Sequence, residues 1–131
     1  MGTGRVRVNR LTVEREAGRV RVDVELAHSD RTMLGHAEST GEGERGTVRA
    51  AAAAAVSALN LLLPEAWRLR FDEAQIQPIA QREAIIVQLR LRSEEVEEAL
   101  VGSAVSDRIP EEAAVRAVLN AAERRTTPLM S

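Results

Sequence analysis

Residues 19–27 read Arg-Val-Arg-Val-Asp-Val-Glu-Leu-Ala. Val20, Val22, Val24 and Leu26 alternate with Arg19, Arg21, Asp23 and Glu25. A period of two is a strand period, and this strand has one dry face and one wet face. Upstream, Val6 and Val8 hold one phase while Leu11 and Val13 hold the other. A strand over Arg5–Val13 with a bulge near Asn9-Arg10 absorbs that slip. Gly18 marks the turn between the two strands. Downstream, His28-Ser29-Asp30-Arg31 reads as a hairpin turn, and Thr32–Glu38 as a third strand with Gly35 inside it. Ser39–Gly46 (STGEGERG) reads as a glycine-rich loop. Thr47 is placed to cap a helix running to Leu63, and Pro64 stops it. Val48, Ala52, Ala55, Val56, Leu59, Leu62 and Leu63 share one face of that helix. The run Ala50–Ala55 favours helix and has little bulk, which suits close packing.

The same order returns in the second half. Trp67, Leu69 and Phe71 alternate with charged residues, and the strand extends to Ile79 through another phase shift. Ala84–Arg92 carries Ile85, Val87, Leu89 and Leu91 on one face. Ser93–Glu97 turns, and Glu98–Val105 is a strand with Gly102 inside it. Pro110 suits the first position of a helix, with Glu111 and Glu112 in the first turn and Arg124 and Arg125 in the last. Thr126–Ser131 is expected to fray. The halves align without a gap at an offset of 67 residues, with Arg15 on Arg82, Val20 on Val87, Gly35 on Gly102 and Val48-Arg49-Ala50 on Val115-Arg116-Ala117. The expected fold is therefore α+β: two strand–strand–strand–helix units in one domain over residues 1–131. The units span 5–63 and 67–125, and each antiparallel sheet is covered by helix on one face. Gly35 and Gly102, at matched strand positions, are expected to let an alanine-rich helix approach the strand backbone.

Composition narrows the function. The chain has 131 residues, 18 basic and 20 acidic, for a net charge of −2. Every basic residue is Arg. That balance argues against a general phosphate-backbone binder, and Trp67 and Phe71, the whole aromatic set, make no base-stacking platform. The absence of Lys excludes Schiff-base chemistry and a P-loop lysine. The absence of Cys excludes disulfides and thiolate sites. No apolar run approaches the roughly 20 residues that cross a bilayer, so a soluble cytoplasmic protein without membrane contact is expected.

The repeat resembles the C-terminal regulatory domain of α-isopropylmalate synthase, also a pair of strand–strand–strand–helix units. The glycine-rich stretch before that family's first helix is similar to Gly41-Glu42-Gly43-Glu44-Arg45-Gly46-Thr47-Val48. The pattern before its second helix is similar to Gly102-Ser103-Ala104-Val105-Ser106-Asp107-Arg108-Ile109-Pro110-Glu111-Glu112-Ala113. In this chain the first stretch is longer and lacks the family's proline. The resemblance implies an effector held near these loops at a subunit interface.

Two loops are the candidate sites. Gly41, Gly43, Gly46 and Thr47 lead into the first helix, whose free N–H groups suit a carboxylate or phosphate. Ser106 and Asp107 hold the matching place before the second helix. Arg49 and Arg116 occupy equivalent helix positions; they suit an anion, or the solvated or salt-bridged place usual for an arginine on a helix flank. Gly41, Gly43 and Gly46 carry the letters of a dinucleotide fingerprint. Glu42 and Glu44 stand between them in an antiparallel context, which argues against that use. His28 and His36 are expected at the wet surface, with no metal-ligand spacing. No nucleophile elbow or paired-carboxylate pattern is present, so no catalytic residue, metal or cofactor is expected. The expected function is a non-catalytic regulatory or assembly module that forms a homo-oligomer, with Ala50–Ala55 as the helix contact, and can bind a small metabolite. The alternative is a purely structural, self-associating scaffold without ligand. No nucleic-acid partner is expected.

Overall fold

A computed structural model describes residues 5–40 and 43–130. The order is β1 (Arg7–Glu16), β2 (Arg19–His28), β3 (Arg31–Thr40), α1 (Gly43–Asn60), β4 (Arg68–Ile79), β5 (Arg82–Arg92), β6 (Glu97–Ser106) and α2 (Pro110–Thr126), closed by a short 3₁₀ turn over Thr127–Leu129. Strands β1-β2-β3 form one antiparallel sheet and β4-β5-β6 another. The protein is thus an α+β fold with a βββα repeat.

The alternation of β2 does what its chemistry dictates. Val22, Val24 and Leu26 are fully buried, and Arg19 and Arg21 stay in water. The bulge in β1 falls between Val8 and Arg10, and the phase shift of β4 is a bulge between Phe71 and Glu73. Helix α1 lies against β2 and β3, and helix α2 against β5 and β6. The helices also pack on each other, and α1 reaches across to β4.

The alanines make this arrangement possible. Ala51, Ala52, Ala54 and Ala55 are fully buried. A Cβ added to Gly35 would collide with the carbonyl oxygen of Ala54 and lie 2.7 Å from the nitrogen of Ala58. A Cβ on Gly102 would overlap the Ala121 backbone nitrogen and lie 2.5 Å from the Ala117 oxygen. Each glycine therefore lets helix backbone rest directly on strand backbone, as the sequence predicts. The Ala50–Ala55 face, expected to meet a second copy, is instead consumed inside the chain against α2 and the first sheet.

The repeat is real, but its offset is not constant. Leu11 pairs with Val24 as Ala74 pairs with Val87, which sets an offset of 63 across the first two strands of each unit. Val24 faces Gly35 as Val87 faces Gly102, so the third strand and helix follow at 67. The difference sits in the second hairpin. His28 and Arg31 close a two-residue turn, whereas β5 and β6 run past the equivalent pair Leu91–Glu98 to Arg92–Glu97 before turning. The matches of Arg15 with Arg82 and Val20 with Val87 are therefore coincidental. The true counterparts include Val13 with Ile76, Val22 with Ile85 and Leu26 with Leu89.

Three further expectations are corrected. Helix α1 begins at Gly43, and Thr47 is not its cap: the Thr47 hydroxyl is buried and donates to the Gly43 carbonyl at 3.1 Å. His28 is not at the wet surface but 2% exposed, at the position that Leu91 holds in the second unit. Residues 126–130 do not fray: Thr126 and Met130 are buried, and Met130 N–H closes onto the carbonyls of Thr126 and Thr127, while Ser131 lies outside the described residues.

A cleft between the third strand and the first helix

Strand β3 runs to Thr40 and α1 starts at Gly43, so the expected loop over Ser39–Gly46 is largely strand end and helix start. Gly41 and Glu42 lie outside the described residues. Beside this junction the surface opens into a cleft of about 570 Å³. Glu38, Ser39 and Thr40 of β3 line one wall, and Phe71 of β4 the other. The floor and flank come from α1, with Gly46, Ala50 and Ala53 small enough to leave the space and Arg45 and Arg49 one turn apart on its rim.

The charges of this cleft are unevenly committed. Arg49 reaches Glu73 of β4 at 3.4 Å, with both side chains nearly half exposed. Glu38 is drawn to the wet face of the sheet, 3.5 Å from His36 Nε2 and 3.8 Å from Arg19. Among the described residues no carboxylate pairs with Arg45. The remaining character is cationic, with the Ser39 and Thr40 hydroxyls as neutral donors and acceptors. A carboxylate or phosphate matches two guanidiniums set one turn apart.

The residues expected at the site are distributed as follows. Gly46 lines the cleft. Gly43 opens α1 at φ +62°. Thr47 faces the core and is spent on its own helix. Ser106 is buried at the end of β6, and Asp107 pairs with Arg82 at 3.3 Å in the other unit. Neither borders the cleft. Arg116, the counterpart of Arg49, donates to the Val105 carbonyl at 2.9 Å and so serves the strand edge. Arg45 and Phe71 were not singled out by sequence reasoning. The spacing of Arg45 and Arg49 was visible, but Phe71 enters only through the packing of β4 on α1.

On the opposite, wet faces the ionic groups satisfy one another. His36 Nδ1 lies 2.9 Å from Asp23. In the second sheet Asp72, at the bulge of β4, accepts from Arg90 at 3.0 Å and from Arg70 at 3.3 Å. The Arg90 hydrogen bond holds the Asp72 carboxyl below its usual range, against a smaller opposing effect of burial. Arg90 also donates to Glu97 at 2.8 Å, so one guanidinium ties three strands together. No helix among the described residues is long and apolar enough to cross a membrane. The sequence matches no protein-family model, and it matches no curated protein.

Proposed function

We propose that this protein is a non-catalytic regulatory or assembly module of the cytoplasm, which self-associates and holds a small anionic metabolite in the cleft between β3, α1 and β4. The observation that carries the reading is the pairing of Arg45 and Arg49 on the rim of a roomy cleft floored by Gly46, Ala50 and Ala53. Arg45 supplies the uncommitted charge, Arg49 beside Glu73 supplies a second set of forked donors, the hydroxyls of Ser39 and Thr40 supply orientation, and Phe71 supplies an apolar wall. The βββα order, twice over, is also the order implied by the resemblance to the regulatory domain of α-isopropylmalate synthase.

A ligand that binds only the native state raises its stability. A thermal-shift panel of amino acids, dicarboxylates and phosphorylated metabolites tests the reading on the wild type and on the double variant Arg45→Ala/Arg49→Ala. A carboxylate or phosphate compound is expected to raise the wild-type melting temperature and to leave that of the variant unchanged. A panel without any response, or an equal response in the variant, overturns the ligand half of the reading and leaves the structural scaffold.

A further inference from the structure

An exposed strand edge carries unpaired N–H and C=O groups, and proteins block such edges with bulges, prolines, or covering side chains. Two three-stranded sheets have four edges: β4 and β6 have side chains bonded to their backbones, β1 is interrupted by a bulge, and among the described residues β3 has neither. Strand β1 has its bulge at Asn9, and Arg15 near its end is held 2.9 Å from Glu111 of α2. Strand β4 has a bulge at Asp72 and a proline at 78, and the Asn60 side chain both donates to the Leu69 carbonyl and accepts from the Leu69 N–H at 2.8 Å. Strand β6 is covered by α2: Asn120 accepts from the Ser103 N–H at 3.1 Å, and Arg116 donates to the Val105 carbonyl at 2.9 Å.

The fourth edge, β3, differs. Its ten residues pair with β2 without a break in register, and among the described residues no side chain bonds to its backbone. The second unit serves as an internal control. At the offset of 67, Ser103 corresponds to His36, Val105 to Glu38, Asn120 to Ala53 and Arg116 to Arg49. Ala53 has no amide to offer the edge, and Arg49 is turned to Glu73 instead. The shared register places the N–H and C=O groups of Leu34, His36 and Glu38 on the side away from β2.

We infer that the open edge of β3 pairs antiparallel with β3 of a second copy, joining two three-stranded sheets into one of six strands. The inference rests on the self-association reading above and names the surface that mediates it. An antiparallel edge is self-complementary under a two-fold axis, each donor meeting an acceptor of the other copy. An axis at Leu34 also covers the exposed large hydrophobic side chain of that strand. Leu34 is 66% exposed on the wet face at an outward-paired position, and the axis sets it against Leu34 of the second copy, with Thr32 opposite His36.

The test transplants the cap of the second unit onto the first. Ala53→Asn gives α1 the amide that α2 uses at Asn120. Sedimentation equilibrium is run on the wild type and on this variant, with circular dichroism to confirm that both fold. The wild type is expected to be dimeric and Ala53→Asn monomeric. Leu34→Glu and Leu34→Arg are each expected to weaken the dimer at least tenfold when alone and to restore it when mixed. A monomeric wild type overturns both this inference and the self-association reading. A dimeric wild type whose folded Ala53→Asn and Leu34→Glu variants remain dimeric overturns this inference alone.

Discussion

Gly35→Ala isolates the contact on which each βββα unit is built. The new Cβ would collide with the Ala54 carbonyl oxygen, 2.7 Å from the Ala58 nitrogen and 3.0 Å from the Ala54 carbonyl carbon. All three are backbone atoms, so no rotamer change relieves the overlap, and α1 must lift from β3 or the strand must bend. Overpacking costs typically about 1–3 kcal/mol, and a collision with backbone belongs at the upper end. Against it stands the gain of about 0.4–1 kcal/mol from stiffening the unfolded chain. The net expectation is a loss of roughly 2 kcal/mol. With an urea m-value of about 1.5 kcal/mol/M, within the usual range for small proteins, the midpoint falls by roughly 1.3 M. Gly102→Ala behaves alike, because its Cβ would strike Ala117 and Ala121 in the same way. Adding Ala54→Gly does not rescue Gly35→Ala, since the obstructing atoms remain. An unchanged or raised midpoint in Gly35→Ala, or rescue by Ala54→Gly, refutes the close-approach reasoning.

His28→Leu is expected to stabilise the protein by about 1–2 kcal/mol in urea titration, because His28 Nε2 is buried with no hydrogen-bond partner among the described residues, in a place that Leu91 fills in the other unit. Asn60→Ala removes both hydrogen bonds to Leu69 and is expected to cost about 1–3 kcal/mol in the same assay. Asp72→Asn lowers stability near neutral pH. The folded-state pKa of Asp72 lies below its ordinary 3.8, so its ion pairs contribute fully above pH 3.8 and are lost as pH falls through the folded value. The gap between Asp72→Asn and wild type, followed by melting at successive pH values, is therefore expected to hold above that pH and to close below it. A gap that widens in acid contradicts the assignment.

The elements were legible in the sequence where one physical signal dominated. Alternation along Val20–Leu26 and Ile85–Leu91 defined the central strands, the phase slips located both bulges, and Pro110 marked the start of α2. The four-residue difference between offsets 63 and 67 escaped for a physical reason. A strand has a period of two, so a slip of four residues keeps every side chain on its face: the true matches of the third strand and helix set the offset of 67, and chance identities at Arg15, Ala17 and Val20 carried it across the second strand. Thr47 looked like a cap because Gly46 is a poor helix former, but packing of α1 on β3 outweighs that preference. His28 continues the inward phase of Val22, Val24 and Leu26, a signal that its place in a turn obscured. The cleft was half visible. The spacing of Arg45 and Arg49 lies in the sequence, whereas the wall made by Phe71 depends on how the second unit packs against the first.

Backbone amide exchange at matched positions of the two third strands tests the assembly reading most directly. Ser103 N–H is held inside the chain by Asn120, whereas among the described residues no side chain bonds to the equivalent His36 N–H, and the proposed pairing gives it a partner in a second β3. The expected result is that exchange at His36 slows as protein concentration rises from the low micromolar to the millimolar range, while exchange at Ser103 stays constant. Exchange at His36 that is independent of concentration across that range contradicts the account.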